Sequence, residues 1–133
     1  MSWIIDEIVA QGGEVFFDEY MDLVLYHPIH GYYSGDEPRY GREGDFLTAP
    51  TASEWYSRVM TRLLVRVFDQ TGPLRLIDVA SGDGAVISGV LATLGPRAYN
   101  VLAGVVSVER SPAMRRLQRD RLAAAPVGVH WAE

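Results

Sequence analysis

The first half of the chain carries apolar residues at the spacing of amphipathic helices. They recur every three or four positions over residues 2–11, again from Asp18 to Tyr26, and most clearly over residues 51–69. This spacing places apolar side chains on one face of a helix. Thr51 and Glu54 fit a capping box that would start the third helix. We therefore expect three helices, with a long loop between the second helix and Pro50.

The second half alternates short apolar runs with helical segments. A strand followed by a helix, and then another strand, is the pattern of a parallel sheet with right-handed crossovers. The sequence predicts three strands, with a helix after each of the first two. These elements are the strand Leu74–Ala80, the helix Ala85–Leu94, the strand Val101–Val108, a helix from Pro112 to about Ala125, and a strand from Val127 to Trp131.

Composition removes several classes of chemistry. The chain of 133 residues is 48% hydrophobic, which favours a packed core, and it contains no cysteine. Disulfides, thiolate zinc sites and thiol nucleophiles are therefore excluded. All twelve basic residues are arginine, so a P-loop lysine and Schiff-base chemistry are excluded as well. His27 and His30 have a spacing that suits a metal, but no third ligand is near, and we expect no metal site.

Charge and hydropathy limit the partners and the location. The formal net charge is -5, which argues against a nucleic-acid binder that neutralises phosphates. The apolar runs are shorter than the ~20 residues that a membrane-spanning helix needs. The start of the chain carries Asp6 and Glu7 and lacks the basic leader of a signal peptide. We therefore expect no membrane partner and a cytoplasmic protein.

A glycine-containing turn after the first predicted strand is the main candidate site. The segment Asp78-Val-Ala-Ser-Gly82-Asp-Gly84 joins that strand to a helix, and Glu109 ends the next strand. Glycines allow a tight turn and a close approach of a ligand to the backbone. A carboxylate at the tip of the second strand can accept hydrogen bonds from both hydroxyls of a ribose. Ligands of open α/β sheets bind at this carboxyl edge.

Several ligands suit such a turn. A dinucleotide fingerprint requires a third glycine where this chain has Ile87, which disfavours NAD. Sites for S-adenosylmethionine combine an acid at the end of the first strand, a glycine-containing turn and an acid after the second strand. Asp78, Gly82, Gly84 and Glu109 fit that set. The alternative is a plain tight turn with a surface charge at Glu109.

The first half carries a more specific pattern. It contains Phe17-Asp-Glu-Tyr-Met, Leu25-Tyr-His-Pro, Gly31-Tyr-Tyr and Gly44-Asp-Phe-Leu-Thr-Ala-Pro, in that order. Together with Val108-Glu-Arg-Ser-Pro and Gln118, these motifs resemble the MidA-like family of S-adenosylmethionine-dependent methyltransferases. The resemblance covers almost the whole chain. Mitochondrial members of that family are similar to an arginine methyltransferase that assists assembly of respiratory complex I.

The resemblance implies a Rossmann-like class I methyltransferase fold of the α/β class, partial, with an N-terminal helical cap. It implies S-adenosylmethionine as cofactor and methyl transfer to a protein, at arginine. Asp45 is then the candidate catalytic residue that accepts a proton. The residues expected to contact the cofactor are Tyr33, Gly44, Phe46, Thr48, Asp78, Ala80, Gly82, Gly84 and Glu109. Tyr33 and its neighbour Tyr32 could equally pin their loop to the core.

Two departures leave a second function open. The family's first turn glycine is Ala80 here, and its glutamate after Thr-x-Pro is Thr51. A degenerate, non-catalytic member that acts as a binding or assembly module is the alternative. We expect residues 1–72 to form the cap and residues 73–133 the first half of the cofactor-binding domain. By this resemblance we expect the chain to represent the N-terminal part of the family's fold, truncated. We therefore expect no turnover from this chain alone, and a homo-oligomer or a complementing chain as partner.

Overall fold

The computed structural model describes residues 2–35, 44–45 and 47–132. The chain divides into two compact units, Met1–Glu37 and Pro38–Glu133. These units do not test the predicted boundary between a cap and a cofactor-binding domain at residue 72, which stays a prediction.

The first unit consists of two helices and the turn that follows them. Helix α1 spans Trp3–Ala10 and helix α2 spans Phe17–Tyr26, as the apolar spacing predicts. The backbone N–H of Phe16 donates to the carboxylate of Glu19 at 2.9 Å and so caps the start of α2. After α2 the chain folds back, because the N–H of Tyr33 donates to the carbonyl of Leu25 at 2.8 Å.

The second unit is a three-stranded parallel sheet with helices. Strands β1, β2 and β3 lie in that order, and both strand pairs are parallel, which confirms the predicted α/β architecture. The elements of this unit are α3 (Ala49–Ala52), α4 (Glu54–Thr71), β1 (Leu74–Val79), α5 (Ala85–Leu94), α6 (Ala98–Val101), β2 (Leu102–Val108), α7 (Pro112–Arg121) and β3 (Val129–Ala132).

The core of this unit lies between the sheet and helices α4, α5 and α6. Helix α5 contributes four buried apolar side chains, and strand β2 contributes Leu102 and Val105. Helix α4 packs closely on α5, where Gly89 faces the buried Ser57. A Cβ at position 89 would overlap the Ser57 side chain. This close approach holds α5, and with it the turn that precedes it, against α4.

Two local predictions need correction. Thr51 does not start α4. It is the third residue of the separate helix α3, where its Oγ1 accepts from the N–H of Thr48 at 3.1 Å. Ser53 caps α4 instead and accepts from the N–H of Trp55. The apolar stripe of α4 is also wider than its packed face, because Met60 and Leu64 pack on the core while Trp55, Val59 and Leu63 are exposed.

Candidate cofactor-binding site

The turn between β1 and α5 is where the structure brings five of the predicted site residues together: Asp78, Ala80, Gly82, Gly84 and Glu109. Residues Ala80 to Gly84 follow the carboxyl end of β1, and Glu109 follows the carboxyl end of the adjacent strand β2. The N–H of Gly84 donates to the carbonyl of Ser81 at 2.9 Å and closes the turn. Gly84 has a left-handed backbone conformation, with φ of 77°, which glycine adopts without steric cost.

Glu109 fastens this turn to the end of β2. Its Oε2 accepts from the N–H of Gly82 at 2.8 Å, and its Oε1 accepts from the N–H of Ser111 at 2.7 Å. The side chain is buried, with the residue only 8% exposed. Each carboxylate oxygen can accept a second hydrogen bond, so Glu109 can hold the turn and still accept from a ligand.

Asp78 is the acidic group near the end of β1, and one of its carboxylate oxygens has no partner among the described residues. Its Oδ2 atom is buried and accepts no hydrogen bond from the described residues. Burial raises the pKa of the Asp78 carboxyl, and the negative charge of Glu109 raises it further. A buried carboxylate oxygen without a partner is unfavourable, and groups with a perturbed pKa cluster at functional sites. Asp78 is therefore available to a ligand that brings a donor or a positive charge.

Ala80 carries backbone strain at the same place. Its φ is 57°, and it is the non-glycine residue with positive φ among the described residues. A residue with a Cβ pays about 1 kcal/mol or more for this conformation. The strain explains in physical terms why a glycine suits this position better than alanine.

The other predicted site residues are less closely tied to the turn. Thr48 caps α3 together with Thr51, and their hydroxyls lie 3.0 Å apart. Gly44 and Asp45 are described, with Asp45 exposed, whereas Phe46 lies outside the described residues. Tyr33 belongs to the first unit, where its ring packs against the rings of Tyr26 and Tyr32 at 5.7 and 4.8 Å.

The sequence assigned no role in the site to the polar residues beneath the turn. Ser81, Ser107 and Gln118 are buried and hydrogen-bonded to one another. Gln118 is part of the family pattern, and one further signal could have indicated its structural role, because it lies on the face of α7 that also carries the buried Met114. A polar residue on the buried face of a helix needs a partner inside the protein.

The described part of the chain lacks two kinds of feature. Within residues 2–35, 44–45 and 47–132, no group of three or more histidine and acidic side chains could hold a metal ion. Over the same residues, no helix has the length and apolarity needed to cross a membrane.

A glycine turn after the first strand of a parallel sheet, with carboxylates at the ends of the first two strands, is the arrangement typical of Rossmann-like cofactor-binding proteins. The comparisons with known proteins specify the cofactor. Residues 59–133 match the family "Putative S-adenosyl-L-methionine-dependent methyltransferase". That match covers more than half of the chain, and the chain belongs to this family. The expected MidA-like identity and the adenosylmethionine cofactor are thereby confirmed.

Relatives and solved structures agree with this assignment. The mitochondrial protein arginine methyltransferase NDUFAF7 homolog of Drosophila melanogaster is 31% identical over 116 residues, 85% of this chain and 26% of the relative. The Xenopus tropicalis protein of that name is 27% identical over 127 residues, 91% of this chain and 29% of the relative. A Burkholderia thailandensis protein solved with S-adenosyl-homocysteine superposes with a TM-score of 0.80 at 31% identity, over 98% of this chain and 35% of that one.

These relatives show how much of a related protein the chain covers, and they correct one expectation. The chain spans between a quarter and a third of the length of the curated relatives it matches. The expected cytoplasmic location is wrong, because it is contradicted by these relatives, which are named as mitochondrial proteins.

Proposed function

We propose that this protein binds S-adenosylmethionine at the turn between β1 and α5 and takes part in transfer of its methyl group to a protein, at arginine. The observation that carries the proposal is the unpartnered buried Oδ2 of Asp78 beside a glycine turn that Glu109 holds in place. The family match and the arginine methyltransferases among the relatives support it.

The residues of the turn suit the polar ends of this cofactor. S-adenosylmethionine has an ammonium group and two ribose hydroxyls, and when bound it supplies an electrophilic methyl group on a sulfonium. Asp78 would accept from a cationic or hydroxyl donor, and Glu109 would accept from hydroxyls with its remaining lone pairs. We propose Gly82, Gly84 and Ala80 as the backbone wall, where the absence of large side chains permits close approach.

Transfer to arginine also requires a proton acceptor. A guanidinium has a pKa above ~12 and must lose a proton as it is methylated. We propose Asp45 for this step, because it is an exposed carboxylate in the Gly-Asp-Phe segment of the family pattern. Tyr33, Gly44, Phe46 and Thr48 are proposed as further cofactor contacts on the same resemblance. The proposed partners are a protein substrate and a second copy or a complementing chain.

Calorimetric titration with S-adenosyl-homocysteine tests the binding half of this proposal. We expect saturable binding to the wild-type chain, binding at least about tenfold weaker to Asp78→Asn, and no binding of NAD. Asp69→Asn is the matched control, because Asp69 is an exposed aspartate of α4. No heat with S-adenosyl-homocysteine, or equal affinity of Asp78→Asn and wild type, would contradict the proposal.

The second candidate is a non-catalytic binding or assembly module. It is favoured by the position of Thr51, whose hydroxyl is committed to capping α3 where the family pattern has a glutamate. Incubation with methyl-labelled S-adenosylmethionine and arginine-containing proteins separates the two functions. Label incorporated into arginine supports the transferase. Because no turnover is expected from this chain alone, cofactor binding without incorporation supports the module only when the proposed complementing chain is present.

A further inference from the structure

The candidate turn rests on a closed ring of buried hydrogen bonds. Nε2 of Gln118 lies 2.9 Å from Oγ of Ser81, the Ser81 and Ser107 hydroxyls lie 2.5 Å apart, and Oγ of Ser107 lies 2.6 Å from Oε1 of Gln118. Gln118 and Ser107 are fully buried, and Ser81 is 8% exposed. The three residues come from α7, β2 and the turn itself, so the ring joins three elements.

The direction of each hydrogen bond follows from the donors available. The Gln118 amide donates from Nε2 and accepts at Oε1. Ser107 therefore donates to Gln118, Ser81 donates to Ser107, and Gln118 donates to Ser81. The second hydrogen of Nε2 is donated to the carbonyl of Gly82 at 2.5 Å. Both amide hydrogens of Gln118 are donated, and these hydrogen bonds offset the free-energy cost of burying the carboxamide.

Gly82 is consequently held from both sides. Its N–H donates to Glu109 at the end of β2, and its carbonyl accepts from Gln118 on α7. Gln118 also limits the size of the residue that fits at position 84, because a Cβ on Gly84 would lie 3.1 Å from Cγ of Gln118. The Gln118 side chain therefore contacts Ser81 and Gly82 and occupies the space beside Gly84.

We infer that Gln118 is a positioning residue that fixes the backbone of residues 81–84 in the conformation that binds the adenosyl cofactor. The inference rests on the proposed function, in that the turn is the cofactor site. An apolar side chain of similar size would fill the same volume without the polar cost. The amide is the group that can donate to Ser81 and Gly82 together, so its contribution is to the orientation of the turn rather than to packing volume.

Gln118→Met tests this, since methionine keeps the volume and removes the hydrogen bonds. Gln118→Asn is a second variant for the case that methionine prevents folding, because its shorter amide cannot keep both donations. Leu102→Val is the matched control. It perturbs the buried core at the start of β2, the end of the strand opposite the turn. Ser107→Ala removes one ring member but keeps the donation from Gln118 to Gly82.

Two measurements apply to each folded variant: affinity for S-adenosyl-homocysteine, and hydrogen exchange of the Gly82 and Gly84 amides without ligand. Gln118→Met is expected to weaken affinity about tenfold and to speed exchange at Gly82 and Gly84 more than at Val105. Leu102→Val is expected to leave affinity unchanged when folded, and Ser107→Ala to fall between them.

The outcomes separate this inference from the proposed function. A wild-type chain that binds while Gln118→Met binds equally well overturns the inference and leaves the proposed function standing. Equal losses in Gln118→Met and Leu102→Val also overturn it, because they indicate general destabilisation. A wild-type chain that binds no S-adenosyl-homocysteine overturns the proposed function and the effect on affinity together. Exchange at Gly82 that is unchanged in Gln118→Met contradicts the positioning role even then.

Discussion

Removal of the Glu109 carboxylate should destabilise the fold as well as the candidate site. The carboxylate accepts from two backbone N–H groups, those of Gly82 and Ser111, and the residue is 8% exposed. Hydrogen bonds to a charged group contribute about 1.5–3 kcal/mol each. Two such bonds give an upper bound of about 3–6 kcal/mol, which water entering the space left by the side chain would reduce.

We therefore expect Glu109→Ala to lower the free energy of unfolding by about 3 kcal/mol. For a chain of this size that corresponds to a fall in melting temperature of roughly 10 °C. Glu109→Gln should lose about half as much, because one amide oxygen can still accept while the NH₂ group faces the other N–H donor. The graded loss distinguishes hydrogen bonding from simple loss of volume.

Urea unfolding followed by circular dichroism at pH 7 measures this series. Glu54→Gln is the control, since the Glu54 side chain is 88% exposed and pairs only with Arg58 in the described structure. Its expected effect is within about 0.5 kcal/mol. An unfolding free energy for Glu109→Ala within about 1 kcal/mol of wild type would refute the argument that this carboxylate holds the turn.

Three further substitutions test the geometry around the turn. Because the pKa of the Asp78 carboxyl is raised in the folded protein, the folded protein keeps a proton at pH values where the unfolded chain has released it. The free energy of unfolding therefore falls as the pH rises from the unfolded pKa to the folded pKa. Asp78→Asn should thus raise the melting temperature at pH 7, and the gain should disappear in acid. Thermal melts of both proteins from pH 3 to about 7 measure this, and a gain that stays constant over that range would contradict it. Ala80→Gly should stabilise the protein by about 1 kcal/mol, measured by urea unfolding, because it relieves positive φ; a loss would contradict the strain. Gly89→Ala should lower the free energy of unfolding by about 1–3 kcal/mol, because the added Cβ overlaps the Ser57 side chain. Adding Ser57→Gly to the same chain should restore most of that loss. Destabilisation that persists in the double variant would exclude the contact with Ser57 as the cause.

The strand and helix order could be predicted because local patterns determine it. The apolar runs around Ile77 and Val105 and the helical spacing of residues 85–94 are independent of distant contacts. The serine N-cap at Ser111, followed by Pro112, also places the start of α7 correctly. The break between α3 and α4 was missed, since Thr48 and Ser53 both offer capping oxygens near Thr51 and the choice depends on tertiary packing.

The acids of the site could be predicted by residue type, but their roles in the fold could not. Asp78 and Glu109 stand out because carboxylates follow apolar strands. That Glu109 bonds two backbone amides, whereas Oδ2 of Asp78 has no partner, depends on the path of the turn in space. The contacts of Gln118 join residues 36 and 37 positions apart, and no local spacing reveals such a pair.

The central claim is that the turn between β1 and α5 is the binding site for the adenosyl cofactor. Titration of the isotope-labelled chain with S-adenosyl-homocysteine, followed by amide chemical shifts, tests it most directly. We expect saturable shifts concentrated at residues 78–85 and at Glu109, with the same midpoint at each. Absence of saturable shifts, or shifts confined to residues away from this turn, would contradict it.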